Sequence, residues 1–150
     1  MLAALLLSLF SACAGAPIAP PPAPQPTGVV PAAAANDAEI ALPALLLAER
    51  NAAAARDLAT LETLWAEEGS VHETRGTETV ADDYHWQGRH AVLNRYAVAV
   101  FANPPAPLEA APEISFTGAG DTVTAVNGVD TWRFIRRDGR WWILDLVIAP

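Results

Sequence analysis

The sequence predicts an α+β domain held behind a long uncharged leader, on three observations. Between Asp37 and about Phe101 apolar residues recur at helical spacing, and beyond Pro107 the period changes to two. The C-terminal stretch from Thr131 to Ile148 also reads as a β-hairpin around Asp138-Gly139. That dipeptide tolerates the positive φ of a tight type I′ turn. With 150 residues and 52% hydrophobic content, the chain holds one domain plus an attachment, and enough apolar material for a core.

The attachment comes first. Residues 1 to 36 carry no charged side chain. Met1 to Phe10 is an apolar run of signal-peptide length, too short to span a bilayer as a stable helix. It ends in Phe10-Ser11-Ala12-Cys13, which resembles the lipobox of bacterial lipoproteins, where small residues precede a Cys that is lipidated and becomes the first residue of the mature chain. Phe10 stands where that pattern usually has Leu, and no basic residue precedes the run. Residues 1–12 are therefore expected to be a lipoprotein-like signal and Cys13 the lipidated residue, placing the protein in the cell envelope. The alternatives are cleavage after Ala12-Cys13-Ala14, which releases a secreted protein without the Cys, and a buried structural Cys. Residues 13–36 are rich in Ala and Pro, a composition that favours extended polyproline II. At about 3.1 Å per residue, about twenty residues reach roughly 60 Å, so the segment reads as a tether.

The domain, residues 37–150, opens with a helix in which Leu42, Leu45, Leu46 and Glu49 follow the i, i+3, i+4, i+7 spacing and Pro43 suits a first turn. A second helix is expected from the N-cap Asp57, with Leu58, Leu61, Leu64 and Trp65 as its apolar stripe and Glu67-Glu68-Gly69 as its stop. Ser70 to Thr74 reads as a short strand, Arg75 to Asp83 as an acidic irregular loop. A third helix runs from Arg89 to Phe101, with Val92, Leu93, Tyr96 and Val100 on one face, and Asn103-Pro-Pro ends it. Strands follow over Glu109–Gly118, over a long run Thr122–Arg137 bent or bulged at Gly128, and over Arg140–Ile148.

A two-residue turn at Asp138-Gly139 sets Arg137 opposite Arg140, Phe134 opposite Ile143 and Trp132 opposite Asp145. Cross-strand partners share a face, so Asp145 is expected among Trp132, Ile143 and Val147. Both faces of the hairpin are apolar at the middle, which predicts cover on both sides.

This order of elements resembles the SnoaL-like members of the nuclear-transport-factor-2-like superfamily. The stretches that carry the likeness are Asp57-Leu-Ala-Thr-Leu-Glu-Thr-Leu-Trp-Ala-Glu-Glu-Gly-Ser-Val-His-Glu73, Trp86-Gln-Gly-Arg-His-Ala-Val-Leu-Asn-Arg-Tyr96 and Trp132-Arg-Phe-Ile-Arg-Arg-Asp-Gly-Arg-Trp-Trp-Ile143. The resemblance implies a cone: about three N-terminal helices packed on a curved, mostly antiparallel sheet, with a cavity at the open end. Members include cofactor-independent isomerases, dehydratases and cyclases as well as domains that only bind or dimerise, so the fold leaves the activity open.

Net charge is −8, and all nine basic residues are Arg. That balance argues against nucleic acid or an anionic lipid surface as the main partner, because both select a cationic patch. Arg133, Arg136, Arg137 and Arg140 cluster at the hairpin tip and read as a solvated turn or an anion site. A carboxylate in apolar surroundings has its ionised form disfavoured, which suits proton transfer. Asp145 is therefore the candidate base, with His72 or Tyr84 to polarise or protonate a substrate. The structural alternative is that Asp145 bonds Arg133 or Arg95, or sits at a rim, and that His72 is a solvated or hydrogen-bonded histidine. His85 and His90 are expected to point away or lie at the surface. Trp65, Trp86, Trp132, Phe134 and Trp141 are candidates to line an apolar pocket, or to be core. His72, His85, His90 and the nearby acids lack metal-ligand spacing, and no cofactor motif is present.

Three functions follow as expectations. The first is an exported, lipid-anchored domain that binds a small apolar or aromatic molecule, as a homodimer through the outer face of its sheet. The others are an enzyme of the isomerase, dehydratase or cyclase kind, and an envelope interaction module whose cavity is filled by its own side chains.

Overall fold

The computed structural model describes residues 38–77 and 79–150, so the expected signal segment 1–12, Cys13 and the expected tether 13–36 lie outside the described residues. Helix α1 (Ala38–Ala55) buries Leu42, Leu45, Leu46, Glu49, Ala52 and Ala53 on one face. It starts early enough to place Pro43 in its interior rather than its first turn, where proline supplies no N–H to the helix ladder. Helix α2 (Leu58–Leu64) is capped as expected: the Asp57 carboxylate accepts from Thr60 N at 3.0 Å and from Thr60 Oγ1 at 2.6 Å.

The expected extension of that helix to Glu67-Glu68 is not what forms. Trp65 takes extended backbone and opens strand β1 (Trp65–Glu73), which pairs in parallel with the C-terminal strand through Trp65 and Ile143. Tertiary pairing overrides the helical spacing of Trp65, whose ring is fully buried. After a single 3₁₀ turn (Val80–Asp82) come β2 (Tyr84–Gln87) and α3 (Arg89–Arg95). A π-helical turn (Tyr96–Val100) continues α3, closed by a 2.8 Å bond from Phe101 N to Tyr96 O.

Three hairpin-linked strands follow β3 (Ser115–Ala119): β4 (Thr122–Asn127), β5 (Asp130–Arg137) and β6 (Arg140–Ile148). The bend expected at Gly128 is instead a full reversal, for Asn127 pairs with Asp130 and Gly128 has φ 64°. Gly128-Val129 forms the two-residue loop, with Gly at the first central position where φ is positive, and it divides the long run in two. The six strands form one sheet in the order β2-β1-β6-β5-β4-β3, antiparallel apart from the β1–β6 pair.

The turn at Asp138-Gly139 has the expected two residues, both at positive φ (53° and 74°), with Arg137 opposite Arg140 and Phe134 opposite Ile143. The expected register fails beyond that point. A β-bulge takes up Leu144, so Arg133, not Trp132, faces Asp145, and Trp132 faces Leu146. One extra residue moves every later side chain of β6 to the opposite face. Leu146 and Ile148 therefore join Trp141 and Ile143 on the helix-covered side, while Asp145 and Val147 turn outward. Bulged β6 runs beside irregular β1, where an added Cβ on Gly69 would meet the Trp65 ring at 2.9 Å and Leu144 O at 3.3 Å.

The core lies between this inner face and the helices, around Trp65, Val71, Trp132, Phe134, Trp141 and Ile143 against Leu42, Leu45, Leu61 and Tyr96. The outer face does not have the cover expected of it: Val126 and Val147 are exposed, and so is Arg133.

Candidate functional site

The α1 stripe that builds the core contains one acid, Glu49, seven residues after Leu42 and therefore on the same face. The residue is buried. The π-turn brings Tyr96 to it from the third helix, and the tyrosine hydroxyl donates to Glu49 Oε1 at 2.5 Å. Burial drives the Glu49 carboxyl above its usual range, partly opposed by the Tyr96 hydrogen bond and by Arg50 and Arg95. Burial, then the neighbouring Glu49 carboxylate, pushes the Tyr96 phenol well up as well. The phenol keeps its proton and acts as donor.

Arg95 reaches the same place from the last turn of α3. Its Nη2 donates to Glu73 Oε2 at 3.1 Å, and its guanidinium lies 5.2 Å from the Trp86 ring centroid. Its Nε is buried and meets no hydrogen-bond partner among the described residues. Asp130, at the start of β5, accepts from Ala149 N at 3.4 Å, and partial burial raises its carboxyl. Glu49, Arg50, Glu73, Arg95, Tyr96 and Asp130 all line an open cavity of about 430 Å³, with Trp132, Leu146 and Ile148 as its apolar part. Trp132 Nε1 is also buried without a partner among the described residues.

The residues expected to do chemistry lie elsewhere. Asp145 is held on the outer face by Arg133 Nη2 at 2.5 Å and by Ser70 Oγ, which donates to it at 2.6 Å. His72, two residues after Ser70, shares that face, with its Nε2 3.0 Å from Asp83 Oδ2 and its ring edge-on to His85 at 5.8 Å. Asp145, His72 and His85 together line a groove of about 440 Å³ with Thr131 and Arg133. Tyr84 is exposed at the sheet edge, where its hydroxyl accepts from Arg75 Nη1 at 2.8 Å. Asp145 and His72 therefore share a polar groove outside the cone, and Tyr84 joins neither.

Of the five rings expected around a pocket, Trp132 lines the cavity. Trp65, Phe134 and Trp141 are core, with Trp132 packed on Trp65 at 6.4 Å and stacked on Phe134 at 6.5 Å. Trp86 is half-buried beneath Arg95. At the hairpin tip, Arg137 pairs with Glu68, Arg140 donates to Thr63 O and its guanidinium lies 3.9 Å from the Trp142 centroid. Among the described residues no group of three or more His, Cys, Asp or Glu could hold a metal ion.

Neither a family model nor a curated protein matches the chain. Solved structures do. An NTF2-like protein of unknown function from Pseudomonas putida superposes with a TM-score of 0.52 at 15% identity, over 75% of this chain and 87% of that one. An NTF2-like protein with a cystatin-like fold from Novosphingobium aromaticivorans gives 0.51 at 20% identity, over 72% and 78%. The hexachlorocyclohexane dehydrochlorinase LinA-type3 of Novosphingobium barchaimii gives 0.50 at 14%, over 69% and 79%. The chain has the NTF2-like, cystatin-like α+β fold, with helices packed on a curved sheet.

Proposed function

We propose that this domain binds a small organic molecule in the cavity at the open end of the cone. The observation that supports this is the convergence of buried polar groups on one open volume. Glu49, Tyr96 and Arg95 come from two helices and meet beside an apolar wall of Trp132 and Leu146. A cavity of about 430 Å³ falls in the ordinary range for small-molecule sites. The test is a thermal-shift screen of a small-molecule library against the domain and against Ala99→Trp, which places a large ring on the exposed cavity wall. Hits should raise the melting temperature of the first protein and not of the second. A screen without hits, or hits indifferent to the substitution, would refute the reading.

A second reading, cofactor-independent proton transfer, draws support from Glu49 itself. A buried acid whose pKa burial raises, with a tyrosine that keeps its proton donating to it, is a candidate general acid or base. The dehydrochlorinase among the structural neighbours is in keeping with this reading. Turnover of any bound hit should vanish in Glu49→Gln with binding retained; undiminished turnover would exclude Glu49 from the chemistry.

Export, lipid attachment at Cys13 and pairing of two copies through the open sheet face complete the proposal. The last rests on a face that exposes Val126 and Val147 around a self-neutralising Arg133–Asp145 pair.

A further inference from the structure

Two residues that line the cavity carry buried donors without an acceptor. Among the described residues, the buried side-chain polar atoms left without a partner are all N–H donors: Arg95 Nε and the indole nitrogens of Trp65, Trp132 and Trp141. Two of these residues, Arg95 and Trp132, line the cavity. Arg50 lines it too, half-buried, with its charge near Glu49 and Asp130 but no hydrogen bond or ion pair among the described residues. An unpaired buried donor destabilises the fold, and a ligand oxygen that reaches it offsets that cost on binding. The acids of the wall are differently placed. Glu49 already accepts from Tyr96, Asp130 from Ala149 N, and Glu73 from Arg95.

Arg95 is also oriented for recognition. Its guanidinium lies over the Trp86 ring, Nη2 donates to Glu73, and Nε is left as a donor without an acceptor among the described residues. A planar guanidinium on an aromatic surface matches a carboxylate in a way an ammonium does not. In a chain of net charge −8, two of nine arginines are gathered on this wall.

We infer that the ligand is a small organic carboxylate, its oxygens held by Arg95 with Arg50 beside it and its apolar part lying on Trp132 and Leu146. This rests on the small-molecule reading of the cavity, and the experiment separates the two. Benzoate, phenylacetate and hexanoate are titrated against the domain in parallel with benzamide, phenylacetamide and hexanamide, followed by calorimetry and tryptophan fluorescence. At least one acid should bind tenfold or more tighter than its amide. Arg95→Gln should bring that ratio close to one, and Arg95→Lys should restore only part of it. A merely structural Arg95 would weaken acid and amide alike. Should Arg95→Gln not fold, Arg50→Gln carries the same test, with a smaller fall in the ratio. Equal binding of acid and amide by the unaltered domain overturns the carboxylate inference and leaves the cavity reading standing. Binding of none of the six, with other hits in the thermal screen, does the same. Failure of every compound in both assays overturns both.

Discussion

Replacing Tyr96 with Phe removes one oxygen from the molecule and leaves the Glu49 carboxyl buried without its donor. The cost depends on which form of Glu49 is present. A bond between a neutral carboxyl and a phenol contributes about 1 kcal/mol, whereas one to an ionised carboxylate contributes about 1.5–3 kcal/mol. Because burial raises the Glu49 pKa above 4.5, the folded state holds this proton more tightly than the unfolded chain. Stability from this group is therefore greatest at low pH and falls as pH rises from 4.5 through the folded-state pKa. The Tyr96 bond is the largest influence lowering that pKa, so Tyr96→Phe raises it further and steepens the decline. The penalty should grow from about 1 kcal/mol at pH 4 to about 3 kcal/mol where Glu49 is ionised. For a domain of this size that is a melting difference of roughly 4 °C widening to roughly 12 °C. Thermal unfolding of both proteins, followed by circular dichroism from pH 4 to 9, measures it. A difference that stays constant or narrows as pH rises would show that Tyr96 does not stabilise a buried, titrating carboxyl.

Two further outcomes test the outer face and the leader. Val147→Arg places a charge at the centre of the face proposed to pair, twice over in a symmetric dimer, and an uncompensated buried charge costs about 3–5 kcal/mol. Light scattering should then show a dimer for the unaltered domain and a monomer for the variant; two identical masses would refute the interface. Cys13→Ala should abolish incorporation of labelled palmitate in a bacterial host and shift the protein from membrane to soluble fractions, and unchanged labelling would refute the lipobox assignment.

The cavity was half visible in the sequence. Glu49 stands out as an acid inside an apolar helical stripe, and Tyr96 as a hydroxyl on the buried face of the third helix. Either could have been singled out. Their meeting could not, because it joins residues 47 positions apart and relies on a π-turn that widens the helix at Tyr96. Asp145 shows the converse. The turn at Asp138-Gly139 is legible because the φ > 0 requirement belongs to those two residues alone. The face on which Asp145 falls depends on a bulge six residues further on, set where β6 accommodates β1.

The chain by itself determined what its local chemistry demands: helices from apolar spacing and the Asp57 cap, and the last hairpin from Asp-Gly. Tertiary structure decided what long-range pairing controls. Strand β1 took Trp65 from its helix because Ile143 offered a partner. The bulge at Leu144 turned one acid out to Arg133, while the packing of α1 on the sheet kept another, Glu49, beside Tyr96. Side-chain period is two residues in a strand, so one inserted position reverses the inside and outside of a site, and no local signal records where neighbouring strands require it.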